Sequence, residues 1–285
     1  MKQALARLLT TGYPASVRHI WAYQCPGDSG CVAAGSVRRG LRVASYNVHK
    51  CVGTDGRFDP TRIGRVIREL SADIVALQEV DRRFGDRLGL LDLGRLEAET
   101  GLRPVPVEGF RKSHGWRGNI ILARNAKVGN VEQVALPGLE PRGALVADLE
   151  FAGGAGLRVI GAHLGLLPSS RRRQADLLAD FMQDHPSDAI LMGDLNEWRI
   201  DTGSPLARCM VEERAADHAP PSFPAGRALL PLDRIIASVP GALNNISTHR
   251  SALARIASDH LPITADWLPA PVRRERRPQP GVNGA

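Results

Sequence analysis

The chain has 285 residues, 43% hydrophobic and 24% charged. That balance is ordinary for a globular protein with a sizeable core, and it excludes a wholly disordered chain, a coiled coil and a collagen-like repeat. The formal charge of +7 sits at the two ends, +4 on residues 1–40 and +3 on residues 269–285, which leaves about zero between them; the body therefore gives no support to the nucleic-acid or anionic-membrane partner that a basic pI suggests.

Residues 1–40 carry weak pattern: a short helix over about 2–10 and a turn at Pro26-Gly-Asp-Ser-Gly30. They are expected to form a poorly structured extension ahead of a domain over residues 41–268. Leu41 to Tyr46 alternates like a strand. Asp59 and Pro60 open a helix whose apolar face is Ile63, Val66, Ile67 and Leu70. Asp73 to Gln78 reads as a buried strand, and Leu88 to Thr100 as a helix closed by Gly101. Asn119–Ala123, Val128–Leu136, Ala144–Phe151 and Leu157–His163 read as four strands. Ser169 or Ser170 is expected to cap a helix through Asp184, with Ala175, Leu178, Ala179 and Met182 inward. Asp188–Met192, Leu232–Ile236 and Leu261–Ala265 are the last clear strands. The tail from Pro269 is rich in Pro, Gly and Arg and is expected to be disordered. Interleaved helices and antiparallel-looking runs suggest two sheets covered by helices.

The four cysteines, at 25, 31, 51 and 209, form no Cys-x-x-Cys pair, so no zinc site is signalled. Their number fits a reduced cytoplasmic protein. The first 24 residues lack the apolar run of a signal peptide, and no stretch approaches the ~20 apolar residues of a membrane span.

The chemical signal lies where polar residues end apolar strands. Asn47 and Glu79 end the first two, Asn119 begins another, and His163 ends a fourth. Asp194 and Asn196 follow a strand, Asp233 opens one, and Asp259 and His260 precede the last. Each has a plain structural reading. A carboxylate after a strand often caps a turn, Asp194 with Asn196 could form an Asx turn, and a lone histidine is more often structural. The combination of acids, amides and histidines at strand ends points to an active site fixed by a rigid sheet.

The motifs Ser45-Tyr-Asn-Val48, Leu77-Gln-Glu-Val80, Gly118-Asn-Ile-Ile-Leu122, Gly161-Ala-His-Leu164, Met192-Gly-Asp-Leu-Asn196, Leu232-Asp-Arg-Ile235 and Ser258-Asp-His-Leu-Pro262 occur in order across residues 41–268. Together they resemble the endonuclease/exonuclease/phosphatase superfamily, the DNase-I-like metal-dependent phosphoesterases. The resemblance implies a four-layered α/β sandwich of two mainly antiparallel sheets packed face to face, with helices outside. It also implies hydrolysis of a phosphate ester with Mg²⁺ or Mn²⁺. By the same resemblance, Glu79 is the principal metal ligand, assisted by Asn47, and Asp259 holds a second metal or a metal-bound water. Asp194 orients or deprotonates the attacking water, and Asn196 helps to fix it. His260 stabilises a phosphate oxygen, with Asp233 on its far nitrogen. His163 faces the leaving group as donor or general acid, and Asn119 helps to hold the phosphate. Arg142 is a weaker phosphate contact. Lys50, Asp55 and Arg57 are candidates for the substrate entrance. Arg171-Arg-Arg173 reads as a solvated face, with an anionic-substrate contact worth testing.

His163, Leu166-Leu167 and the run Asn47-Val-His-Lys50 through Asp55-Gly-Arg57 look like the small bacterial hydrolase branch. With the neutral body, they favour a small phosphodiester or a lipid headgroup as substrate and a monomeric protein. The alternatives are a DNA or RNA nuclease whose basic termini supply affinity, and a catalytically silent binding protein on the same fold. The arginine tail suggests a weak peripheral attachment to anionic lipid, about 1 kcal/mol per basic residue.

Overall fold

The structure, a computed structural model, describes residues 40–268 apart from 83–84, 109–111, 153, 186, 200–202 and 211–218. The expectations for the amino-terminal extension, the carboxy-terminal tail, Cys25 and Cys31 lie outside the described residues.

Strands β1 (Leu41–Asn47), β2 (Ile74–Gln78), β3 (Arg103–Pro104), β4 (Ile120–Ala123), β10 (Leu243–Thr248) and β11 (Ile263–Trp267) form a six-stranded sheet in the order β10-β11-β1-β2-β4-β3. Strands β5 (Ala126–Ala135), β6 (Gly143–Phe151), β7 (Ala155–His163), β8 (Asp188–Asp194) and β9 (Asp233–Ala237) form a five-stranded sheet in that order. Pairing is antiparallel except for β1 with β2 and β7 with β8. Helix α1 spans Pro60–Leu70, α2 Leu93–Thr100, α3 Pro168–Gln183 and α4 Ala254–Ala257.

Side chains alternate across each strand, and the alternation sorts the core into layers. Val43, Ile74, Ala76, Ile121, Leu145, Val159, Ile190, Met192 and Trp267 pack between the sheets. Val75, Leu77, Ile120 and Leu122 point the other way, onto Ile63, Val66, Ile67 and Leu70 of α1 and Leu96 of α2. Ala144, Val146, Ile160, Ala162, Ala189 and Leu191 point outward from the second sheet onto Ala175, Leu178, Ala179 and Met182 of α3. The molecule is therefore the four-layered α/β sandwich that the motifs implied.

Helix α1 begins as the sequence predicts, with Asp59 accepting from Arg62 N at 2.9 Å and Pro60 in the first turn. Several boundaries differ, and three of them have a clear backbone reason. Residues 88–91 do not join α2, because Gly89, Leu90 and Leu91 donate to Lys112 O, Val80 O and His114 Nε2; Asp92 caps the helix instead, accepting from Arg95 N. Helix α3 starts at Pro168, so Ser169 and Ser170 lie inside the first turn and cap nothing. Strand β11 starts at Ile263 because Pro262 has no N–H for the ladder. Strand β10 escaped the sequence reading because Leu243-Asn-Asn-Ile-Ser-Thr248 is an edge strand, half polar, with a register shift between Asn244 and Ser247.

Gly193 is fixed by close approach. A Cβ there would lie 1.8 Å from Ala162 O, its neighbour on parallel β7. Gly193→Ala should therefore destabilise the protein by at least about 2 kcal/mol, read as a lower urea midpoint.

Candidate active site

The positions that fill the inter-sheet core turn polar at one end of the sandwich. On β8, Ile190 and Met192 face the other sheet, and the next residue of the same parity is Asp194. The same parity leads from Leu157 and Val159 through Gly161 to His163 on β7, and from Val43 through Ser45 to Asn47 on β1. Register then sets the row. His163 pairs with Asp194 across β7 and β8, and Asp194 pairs with Asp233 across β8 and β9. Three polar residues thus stand abreast on adjacent strands, about 4.8 Å apart.

Asp194 is 2% exposed. Its Oδ2 accepts from Asn47 Nδ2 at 2.9 Å and faces Nε2 of His163 at 3.4 Å and Nε2 of His260 at 3.6 Å. Its Oδ1 accepts from Asn196 N at 3.1 Å, an Asx turn, and Asn196 is itself held by Nδ2 donating to Leu164 O at 2.9 Å. Burial pushes the Asp194 carboxyl up to about 6, against the pull of His260.

His260 donates through Nδ1 to Asp233 Oδ2 at 2.7 Å, and Asp233 Oδ2 also accepts from Ser222 Oγ at 2.5 Å. The ring leans on Phe223, with centroids 4.9 Å apart. Burial lowers the His260 pKa, but the carboxylates of Asp233 and Asp194 outweigh it and raise the ring to about 10. His260 therefore stands as an imidazolium between two acids. His163 is oriented differently. Arg142 Nη1 lies 3.0 Å from its Nδ1. A guanidinium can only donate, so Nδ1 accepts and Nε2 carries the hydrogen that faces Asp194. Glu140 holds the other side of Arg142 at 3.0 Å.

Glu79 follows β2 in the left-handed region, φ +59°. Its carboxylate pairs with the ammonium of Lys50 and lines a pocket with His163 and Arg142. Asn47 Oδ1 accepts from His49 N at 3.0 Å, and Asn47 O accepts from Ser258 Oγ at 2.8 Å. Asp259, next along, is partly exposed and lies 3.8 Å from His49 Nδ1. Glu79, Asn47 and Asp259 carry hard oxygens, the donor type that a divalent ion such as Mg²⁺ takes, and Glu79 pairs with the ammonium of Lys50. The buried trio Asp194, Asp233 and His260 also has metal-ligand spacing. It reads as a hydrogen-bonded relay, because His260 Nδ1 and Asp233 Oδ2 bond directly, leaving no room for an ion between them.

Other candidates take different places. Asn119 does not have a free amide hydrogen for a phosphate. Its Nδ2 donates to Gly143 O at 3.0 Å and Trp116 O at 3.2 Å, so it ties the start of β4 to the start of β6. Arg171 is not on a solvated face. Its side chain is 3% exposed, pairs with Glu197 at 3.3 Å and donates to Leu166 O at 2.6 Å. It clamps the loops that follow His163 and Asn196. Arg62 of α1 pairs with Asp55 at 2.8 Å and donates to the main-chain oxygen of Arg57 at 3.1 Å, which ties that loop to the helix and leaves the Arg57 side chain exposed. Lys50 does reach the site, on Glu79. The sequence reading missed Ser222, Phe223, Arg87 and Arg117. Ser222 and Phe223 carry no local signal; Leu261 N donates to Ser222 O, Ser222 N and Phe223 N donate to Leu230 O, and Asp233 N donates to Ser222 Oγ, which together hold them beside His260.

The sequence profile described as "Endonuclease/Exonuclease/phosphatase family" matches residues 44–260. The uncharacterized protein YbhP of Escherichia coli K12 is 29% identical over 255 residues, 79% of this chain and 95% of that protein. The crystal structure of an endonuclease/exonuclease/phosphatase from Beutenbergia cavernae is 26% identical, with a TM-score of 0.58, covering 80% of this chain and 71% of that one. A mannosyl-6-phosphatase from Bacteroides thetaiotaomicron shares the fold, with a TM-score of 0.60 at 17% identity over 80% of this chain and 99% of that one.

Removing Arg171 leaves Glu197 buried without its partner. Arg171→Ala should cost about 3–5 kcal/mol in denaturant unfolding; a loss under 1 kcal/mol would refute the clamp.

Proposed function

Because the chain belongs to the endonuclease/exonuclease/phosphatase family, we propose that it hydrolyses a phosphate ester, a small-molecule or lipid-headgroup phosphodiester, by attack of water. The observation that carries the reading is the convergence on Asp194 Oδ2 of three nitrogen groups from separate segments: Asn47, His163 and His260. A buried carboxylate ringed by N–H donors places a base and charge-stabilising dipoles within one phosphoryl group's reach.

Glu79, with Asn47 and Asp259, would hold Mg²⁺ or Mn²⁺. When bound, the ion supplies Lewis-acid polarisation of a phosphoryl oxygen. The chain's own residues supply the rest. Asp194 accepts the proton of the attacking water, and a carboxyl raised to about 6 by burial suits that task near neutrality. Asn47 and the Asn196 N–H keep its two oxygens aimed. His260 gives its Nε2–H to a non-bridging oxygen and stabilises the charge that grows there. Asp233 and Ser222 hold the far side of that ring. His163 presents Nε2–H to the leaving oxygen, a role Arg142 enforces by occupying Nδ1. Arg142 also brings a positive charge to the same side. No covalent intermediate is needed.

Hydrolysis of bis-p-nitrophenyl phosphate with Mg²⁺ or Mn²⁺ tests this. Asp194→Ala and His260→Ala should each lower kcat by at least about 10²-fold, and activity within tenfold of wild type in both would overturn the assigned roles. Glu79→Ala should raise the metal concentration needed for half-maximal rate by at least about tenfold. An unchanged metal requirement would remove Glu79 from the ligand set.

A further inference from the structure

We propose that the pocket beyond His163 is a subsite for a second anionic group of the substrate, a phosphate or carboxylate borne by the leaving group. The proposal rests on the activity argued above and names the class of ester it accepts.

The position of the pocket follows from its lining. His163, Glu79 and Lys50 border it together with Arg142 and Arg117, so it opens directly beside the reacting centre, and the His163 ring joins the two, with Nε2 facing Asp194 and Nδ1 facing Arg142. A charged substituent on the leaving group can enter it while the leaving oxygen takes its hydrogen bond from His163.

The lining is cationic by construction. Lys50, Arg87, Arg117 and Arg142 face it, against Glu79 and Asp81. Three of these cations have acids. Lys50 pairs with Glu79, Arg87 grips Asp81 through two contacts of 3.3 Å, and Arg142 pairs with Glu140. Arg117 is different. Among the described residues no carboxylate pairs with it. One N–H donates to Arg142 O at 2.9 Å, and the guanidinium lies 5.3 Å over the Trp116 ring. A carbonyl and a π-face position an arginine without neutralising it. They leave most of its five donors unassigned. A planar fork held in this way matches a phosphate or carboxylate, and would oppose a leaving group that carries a quaternary ammonium.

Gly118 keeps the floor of the pocket low. Its φ is +88°, and a Cβ there would sit 3.3 Å from Asp81 Oδ1. The near-neutral body of the chain thus conceals a local excess of positive charge beside the reacting centre.

Calorimetric titration of the full chain in EDTA tests the subsite, because the cations belong to the chain. The probes are 1,3-bisphosphoglycerol, phosphocholine and a thymidine tetranucleotide. Bisphosphoglycerol should bind at least about tenfold tighter than phosphocholine, the scale of one charge-assisted contact. Arg117→Gln should reduce that ratio at least about fivefold, and Arg117→Lys should restore part of it. Tighter binding of the tetranucleotide than of bisphosphoglycerol would assign the second anion to a nucleic-acid strand, and the reverse order to a small molecule. Equal binding of bisphosphoglycerol and phosphocholine would overturn the subsite, as would a ratio unchanged in Arg117→Gln with an unaltered unfolding midpoint. These titrations need no turnover. A chain that hydrolyses no ester but keeps the binding ratio would contradict the activity and not the anion pocket.

Discussion

A carboxylate buried between two sheets is the constraint around which this end of the molecule is arranged. An unpaired charge at the position of Asp194 would cost several kcal/mol. Its partners come from both sheets: Asn47 from β1, His163 from β7, the Asn196 N–H past β8, and His260 from the segment before β11. Satisfying Asp194 therefore fixes how the two sheets meet. The group that the fold must hold is the same group to which the proposed mechanism gives the water's proton.

The backbone around it carries strain in places. Glu79, Asn196 and the run His49–Cys51 all adopt positive φ without being glycine. Such residues cost on the order of 1–3 kcal/mol each. At Asn196 the left-handed turn lets its own N–H return to Asp194. At Glu79 it follows the last core position of β2 and precedes Val80, which is buried again. Each departure from regular structure occurs at the end of a well-packed strand, where the Asp194 ladder and the inter-sheet core absorb it.

The two histidines do different work because their neighbours differ. His260 is flanked by acids and keeps its extra proton. His163 is flanked by a guanidinium on one nitrogen, which makes it a donor with a defined direction. Arg142 thereby links the reacting centre to the cationic pocket, since its carbonyl also holds Arg117. One residue therefore orients the His163 ring through its guanidinium and anchors Arg117 through its carbonyl. Global charge said little about this: most of the excess lies at the chain ends, while the cations that matter are gathered by tertiary packing.

The layers and the polar strand ends were legible in the residue pattern. Leu41 to Tyr46 alternates, β2, β7 and β8 read as largely apolar runs, and a polar residue where each pattern ends marked Asn47, Glu79, His163 and Asp194. The seven ordered motifs then supplied the family and the expectation that these residues meet. What the sequence left open was decided by backbone accounting and by distance. Asn119 spends its amide on two carbonyls and Arg171 goes inward to Glu197; neither outcome follows from residue type. Ser222, Phe223 and Arg117 joined the site through loops that local pattern does not describe. Periodicity records which face a residue occupies, whereas the identity of a hydrogen-bond partner many residues away depends on register between sheets, which only the folded chain sets.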